Sequence, residues 1–280
     1  MFVYTNGLWG GFNEKTDGIH FGFFEHVLSQ VFGDAIHLTD NIRDADILLE
    51  SHFTDSKFLF KNWRYSIFFS GEGKYKIPSH AYTFIMGAQR TGTNFISCPL
   101  YVVYDYCKPV VYPTNITTVP IKNLCSVISS PESDKSRENI LNILKLNNIH
   151  IDNAGGLNNN LGFTVSGNYY QQPILDFYKQ YKIVCAFENT TLDDYITEKI
   201  LNSLRAGTIP LYLGSKKISE YFNPLRFVEV NKDDIQITIN EINKLLTDES
   251  YWLYKVNQPI FKQSTCDIVE NIIQQMKQLI

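Results

Sequence analysis

Apolar positions follow two rhythms along the chain. Short unbroken runs occur at Phe2 to Thr5, Ile47 to Leu49, Ser66 to Phe69, Leu124 to Ile128, Lys182 to Phe187 and Thr208 to Leu213. Runs of this length suit strands buried on both faces of a parallel sheet. Between them the spacing changes to three and four residues. Asp17 to Phe32 carries Phe24, Val27, Leu28 and Val31 in this rhythm, and Gly33 follows as a stop signal. Ser136 to Leu146 carries Ile140, Ile143, Leu144 and Leu146; Asp194 to Ala206 carries Ile196, Ile200 and Leu204. The tail, Cys266 to Ile280, places Ile268, Ile272, Ile273, Met276 and Ile280 on one helical stripe, expected to pack back on the core. Strands alternating with helices predict an α/β protein.

Prolines at 99, 109, 113 and 120 punctuate the middle of the chain. Proline restricts itself and its predecessor, so this stretch reads as an extended connector between two domains. Two loops stand out beside it. Ser70-Gly71-Glu72-Gly73 follows a strand-like run directly, and open α/β sheets place ligands at such carboxyl ends. Gly155 to Gly162 is rich in glycine and asparagine.

Composition narrows the function classes. The chain has 280 residues, enough for two modest domains, and a formal net charge of −4, which argues against a general nucleic-acid binder. Its 5 cysteines are scattered without a C-x-x-C pair, which fits a reducing compartment better than a disulfide framework or a zinc site. No apolar run reaches the ~18 residues of a membrane span, and Met1 to Gly10 lacks the basic and apolar regions of a signal peptide. The expected setting is cytoplasmic or intracellular, compatible with peripheral contact with a membrane. Asp44-Ala45-Asp46 has the D-x-D form that chelates Mn²⁺ in one glycosyltransferase class, but it runs straight into Ile47-Leu48-Leu49 and reads as the polar edge of a strand. The P-loop and dinucleotide glycine fingerprints are absent.

The most informative segment is Lys182 to Ser215: strand, loop from Glu188 to Asp194, helix, Gly207, strand, Gly214. Asp194 is a good N-cap type, which places Glu198 and Lys199 in the first turn or so of the helix. Unpaired N–H groups and the helix dipole make such an end attractive to phosphate. A lysine there matters more than the dipole. One unit-charge pair at ~4 Å and an effective dielectric of ~20 is worth about 4 kcal/mol, against ~0.3–1 kcal/mol for the dipole. A carboxylate beside the lysine suits a grip on vicinal sugar hydroxyls. On this chemistry alone, the segment is either an anion site or an ordinary solvent-facing Glu-Lys pair.

Phe187-Glu188-Asn189, then Asp194-Tyr195-Ile196-Thr197-Glu198-Lys199-Ile200, then Gly207-Thr208-Ile209-Pro210-Leu211-Tyr212-Leu213-Gly214, resembles the signature of the α-1,3/1,4-fucosyltransferase family. The resemblance extends to Trp9-Gly10-Gly11-Phe12, Phe68-Phe69-Ser70-Gly71-Glu72, Pro99-Leu100-Tyr101, Val127 to Arg137, Asn223-Pro224 and Phe227-Val228. It implies a fold of two Rossmann-like domains facing across a cleft, the GT-B arrangement. The expected division is 1–118 for the acceptor side and catalytic base, 119–260 for the GDP-sugar, and 261–280 for the terminal helix.

The resemblance also implies an inverting transfer of fucose from GDP-fucose to a hydroxyl of a glycan acceptor, with an α-1,3 linkage and no cofactor or essential divalent metal. Asn189, Tyr195, Glu198 and Lys199 would hold the nucleotide sugar, with Lys199 on the diphosphate and Glu198 on ribose hydroxyls. Glu72 would be the general base. A relative using another GDP-deoxyhexose, or a catalytically weak glycan- or nucleotide-binding relative, are the alternative expectations. One departure bears on the donor site. Family members commonly carry a basic residue in or near the glycine loop, whereas Gly155 to Gly162 has none. Asn158 or Asn159 would donate neutral hydrogen bonds instead, or Arg137, Lys179 or Arg205 would reach in. Thr91 to Cys98, and Gly73 in place of the usual asparagine, depart on the acceptor side.

Overall fold

A computed structural model describes residues 1–13, 20–53, 63–76, 82–107, 111–129, 135–165 and 171–280. It divides into two compact units. The first comprises Met1–Pro109, Leu192–Tyr195 and Ser264–Ile280; the second comprises Val110–Thr191 and Ile196–Gln263.

In chain order the first unit begins with β1 (Phe2–Asn6), α1 (His20–Phe32), β2 (His37–Leu38), β3 (Ile47–Glu50) and β4 (Tyr65–Ser70). It continues with β5 (Phe84–Gly87), β6 (Phe95–Ser97) and α2 (Leu100–Cys107). The six strands form one parallel sheet in the order β2-β1-β3-β4-β5-β6. Ile47, Leu48 and Leu49 of β3 are buried, as their unbroken apolar run predicts, and Glu50 is buried with them by accepting from the Asn6 amide and the Tyr82 hydroxyl. The order reverses between β1 and β3, so the crevice beyond their carboxyl ends is this unit's topological switch point. The D-x-D segment serves the sheet here: Asp46 donates its backbone N–H to the Phe2 carbonyl, and its carboxylate accepts the Phe2 N–H, both at 2.9 Å.

One expectation here falls partly outside the described residues, and one is corrected. The helix of α1 is described from His20, so the predicted start at Asp17 lies outside the described residues. The proline-punctuated stretch is not uniformly extended, because α2 occupies Leu100–Cys107 and buries Leu100, Tyr101, Val102 and Val103. Proline is harmless just before a helix, where no N–H is needed, and the apolar run beyond Pro99 then decides the conformation. Residues 111–120 are irregular.

The second unit contains β7 (Lys122–Ser126), α3 (Ser136–Leu146), β8 (Asp152–Asn153), α4 (Gln172–Tyr178) and β9 (Tyr181–Phe187). There follow α5 (Glu198–Arg205), β10 (Ile209–Leu213), α6 (Ile218–Tyr221), β11 (Val228–Glu229), α7 (Ile235–Thr247) and α8 (Glu249–Val256). Its parallel five-stranded sheet has the order β11-β10-β9-β7-β8, with every residue of β9 and β10 buried. The order reverses between β7 and β9. Pro210 is tolerated inside β10 because it lies before the register shared with β11, which begins at Leu211. Trp252 of α8 is buried and donates through its indole N–H to the Lys182 carbonyl at 2.9 Å, tying α8 to the central strand.

The last helix, α9 (Thr265–Gln278), buries Ile268, Ile272, Ile273 and Met276 and packs on α1 and α2. Thr265 also donates its hydroxyl to the Asp105 carboxylate at 2.6 Å. Two apolar positions assigned to a buried face are instead exposed. Leu146 ends α3 at 81% exposure and Ile280 lies past the end of α9, each beyond the reach of the core its helix covers.

Candidate functional site

The switch point of the second sheet lies between the carboxyl ends of β7 and β9, and the chain delivers its chemistry there. Asn189 follows β9 and Arg137 sits in the first turn of α3, which follows β7; the guanidinium Nη1 donates to Asn189 Oδ1 at 2.9 Å. The bond spans the crevice where open α/β sheets bind ligands. A small cavity of about 20 Å³, room for about one water, opens beside it. Its lining includes Ile128, Ser129, Arg137, Phe187, Lys199 and Asn202, so Arg137 and Lys199 border the same space.

The loop from Glu188 to Thr197 folds differently from the expectation. Asp194 does not cap α5. The helix starts at Glu198, and Thr197 is its N-cap, accepting from the Lys199 N–H. The reason is Glu188. Its buried carboxylate accepts the Thr197 N–H at 2.7 Å through Oε1 and the Thr197 hydroxyl at 2.8 Å through Oε2. This bidentate hold sets where the helix begins. Asp194 is buried near Cys98, whose thiol pKa is pushed up by burial and, to a lesser degree, by the Asp194 charge.

Lys199 closes the arrangement. Its ammonium donates to Thr197 Oγ1 at 3.0 Å and lies 3.3 Å from Glu198 Oε1 and 3.4 Å from Glu188 Oε2. Burial raises the pKa of Glu188, while the Lys199 charge and the two Thr197 donors pull it back down. The lysine is therefore held by two carboxylates and a hydroxyl at the amino end of a helix.

The structure thus brings together Asn189, Glu198 and Lys199 of the expected donor residues. The fourth, Tyr195, is grouped with the first unit. It is buried in a turn closed by its own N–H to the Leu192 carbonyl at 3.1 Å, within the short segment that packs with the first unit. The candidates for the missing loop cation are also separated. Lys179 is surface-exposed beside Asp176 at 3.4 Å, and Arg205 is buried in the last turn of α5. Asn159 has its amide engaged by the Gly155 and Phe163 carbonyls at 2.9 and 2.8 Å. Asn158 borders a different cavity, of about 360 Å³, beside Leu141 and His150. Arg137 alone of these lines the cavity with Lys199. The glycine loop acts through its backbone: a Cβ on Gly155 would lie 2.1 Å from the Ile128 carbonyl oxygen, and one on Gly156 2.2 Å from that of Ser129. Only glycine permits that approach beside the strand end.

Glu188 and Thr197 stand within the motif, and Asn202 within the predicted helix, with no role expected of any of them. Glu188 is marked in the sequence as the first polar residue after the apolar end of β9, Ile183 to Phe187.

In the first unit, Glu72 is half-buried in the loop after β4, its N–H donating to Ser70 Oγ at 3.1 Å.

A parallel sheet that gathers two cations and two carboxylates at its switch point defines a doubly wound α/β protein with a cluster of charged side chains where such folds place ligands. The sequence profile of glycosyltransferase family 10 (fucosyltransferase), C-terminal part, matches residues 120–274, and the chain belongs to that family. It is 28% identical over 204 residues to the alpha-(1,3)-fucosyltransferase FucT of Helicobacter pylori, a match covering 59% of this chain and 40% of the relative. It is 28% identical over 180 residues to alpha-(1,3)-fucosyltransferase B of Drosophila melanogaster, covering 60% and 39%. The matches therefore span less than half the length of these relatives. Among solved structures, an alpha1,3-fucosyltransferase with GDP superposes with a TM-score of 0.73 at 19% identity, covering 100% of this chain and 89% of that one. An alpha1,3-fucosyltransferase with GDP-fucose superposes at 0.68 and 20% identity, covering 98% and 90%. The fold is that of these enzymes. No helix among the described residues is long and apolar enough to cross a membrane.

Proposed function

We propose that this protein transfers fucose from GDP-fucose to a hydroxyl of a glycan acceptor, with inversion at the anomeric carbon. The observation that carries the reading is the pairing of Arg137 and Lys199 around one cavity at the switch point of the second sheet, with Glu198 beside the lysine. Two cations suit a diphosphate; a carboxylate next to them suits the ribose hydroxyls. Asn189 orients Arg137 by accepting its N–H. Tyr195 is carried as a further donor-binding residue on the family resemblance alone.

In the proposed reaction the acceptor oxygen attacks the anomeric carbon opposite the GDP leaving group. The bond from that carbon to the phosphate oxygen breaks, and the electron pair leaves with GDP. Arg137 and Lys199 stabilise the charge that develops on the diphosphate. Glu72 takes the proton of the acceptor hydroxyl as general base. With two protein cations available, we propose that no divalent metal is required. The α-1,3 linkage, and fucose rather than another GDP-linked deoxyhexose, follow from the likeness to the relatives. An intracellular location, with or without contact at a membrane surface, is proposed on the same footing as the sequence expectation.

The deciding experiment measures GDP release from GDP-fucose with and without lactose or N-acetyllactosamine, with the linkage of the product read by NMR. Acceptor-dependent GDP release with a fucosylated product is expected. GDP release equal to a no-enzyme control across a panel of glycan acceptors, despite measurable GDP binding, would favour the nucleotide-binding relative instead.

A further inference from the structure

His52 lies two residues beyond β3, at the carboxyl edge of the first sheet's switch point. The resemblance gives it no role, yet it touches the Glu72 loop on both sides of the carboxylate. Two residues before Glu72, the Ser70 hydroxyl lies 3.0 Å from His52 Nδ1. The same hydroxyl oxygen accepts the Glu72 backbone N–H at 3.1 Å. Three residues after Glu72, the Tyr75 ring stacks on the imidazole, with centroids 5.5 Å apart and planes 20° apart. On its other flank, the imidazole meets the Phe53 ring at 4.1 Å. A neighbouring strand presses the same two points. A Cβ on Gly87, at φ +145, would lie 2.5 Å from the Ser70 carbonyl oxygen and 3.2 Å from the Tyr75 hydroxyl.

From this we infer that His52 is a positioning residue for the transfer reaction: it clamps the loop at Ser70 and Tyr75 and so fixes the backbone that carries Glu72. The inference rests on the reading of Glu72 as the base. A side chain in a glycine-flanked loop has wide backbone freedom, and a general base must stay within hydrogen-bond reach of the proton it removes. Gly71 makes room for Leu100, whose Cδ1 would lie 2.7 Å from a Cβ there; His52 removes the backbone freedom that the two glycines would otherwise leave. The ring supplies both attachments at once, which neither an aliphatic side chain nor an amide can do. Burial lowers the His52 pKa, which keeps the ring neutral near pH 7 and suited to hydrogen bonding within a partly apolar stack.

The test separates the two attachments. His52→Phe keeps the stacking and loses the hydrogen bond; His52→Asn keeps a hydrogen-bonding atom near the Nδ1 position and loses the ring. His52→Phe is expected to lower kcat for fucose transfer by about tenfold to 100-fold, the scale of a small misplacement of a catalytic group. The KM for GDP-fucose should stay within about twofold, because uniform donor binding is untouched. Ser70→Ala should lose at least as much, because it also removes the acceptor of the Glu72 N–H, and the double variant should be no worse than Ser70→Ala alone, as groups acting as one unit behave. His52→Asn should recover part of the loss. Hydrogen exchange of the segment 71–76, read by mass spectrometry, should quicken about tenfold in His52→Phe at unchanged global stability.

Wild-type kcat in a folded His52→Phe protein, or additive losses in the double variant, would overturn the inference. So would unchanged exchange in 71–76, a readout that needs no activity and decides the matter even if the proposed transfer is not observed. Glu72→Gln run alongside distinguishes the cases. If that variant loses kcat while His52→Phe keeps it, the base reading stands and the His52 inference falls. If Glu72→Gln is fully active, the base reading falls, and with it the catalytic role given to the clamp.

Discussion

Glu188 grips Thr197 twice, through the backbone N–H at 2.7 Å and the hydroxyl at 2.8 Å, nine residues along the chain. This contact fixes the first turn of α5 and thereby the place of Lys199. Thr197→Val keeps the shape, leaves the buried Glu188 carboxylate short of a donor, and also removes the oxygen that accepts the Lys199 N–H and ammonium. The expected cost is about 1.5–3 kcal/mol of stability, as for other hydrogen bonds to charged groups. Urea denaturation measures it, and a shift below about 0.5 kcal/mol would show that the grip does not set the helix start.

Lys199→Met should expose the strain of burying Glu188. The Glu188 pKa is already above its ordinary 4.5 because of burial, and Lys199 opposes that rise. A raised carboxylate pKa means that its contribution to stability is fully present below about pH 4.5 and is lost as pH rises through the folded value. Without the lysine the folded value rises further. Stability should then fall more steeply with pH, from 4.5 upward, in Lys199→Met than in wild type. Denaturation at a series of pH values checks this, and adding Glu188→Gln should erase the difference.

Removing either cation should weaken GDP. Lys199→Ala and Arg137→Ala are each expected to cost about 1.5–3 kcal/mol in binding, roughly tenfold to 150-fold in Kd. Asn158→Arg should change affinity by less than about twofold, a difference under 0.5 kcal/mol, because Asn158 borders a different cavity. Calorimetric titration with GDP measures all three. Undiminished affinity in Lys199→Ala would remove the donor assignment.

Glu72→Gln keeps the size of the side chain and removes its basicity. The expected loss in kcat is about 100-fold to 10,000-fold, the range of general-base contributions, with GDP affinity unchanged. Steady-state kinetics with saturating donor give the answer.

The terminal helix gives a stability prediction. Ile272 and Met276 are almost wholly buried in the first unit. Each truncated to alanine should cost about 2–5 kcal/mol and lower Tm. Leu146→Ala, at an exposed site, should stay within about 0.5 kcal/mol.

Much of this protein was legible in one dimension. The apolar runs of β3, β4, β9 and β10 and the periodicity of α1, α3 and α9 set the α/β class, since burial on two faces and burial on one stripe leave different marks on a sequence. The motif around Lys199 marked the segment proposed to bind the donor, because its residues are contiguous. Short edge strands such as β2, β8 and β11 left no mark, since two residues carry no period.

The tertiary structure decided what depends on partners far apart in sequence. The choice of Thr197 over Asp194 as the cap is made by Glu188, and a good capping residue type says nothing about a buried carboxylate that recruits another. Arg137 stood among three candidate cations on residue chemistry alone; only the reversal of strand order between β7 and β9 brings it to the wall it shares with Lys199. His52 carries no motif at all. Its hold on the Glu72 loop exists because β3 and β4 are neighbours in the sheet, and adjacency of strands is set by packing the whole core, not by any local run of residues.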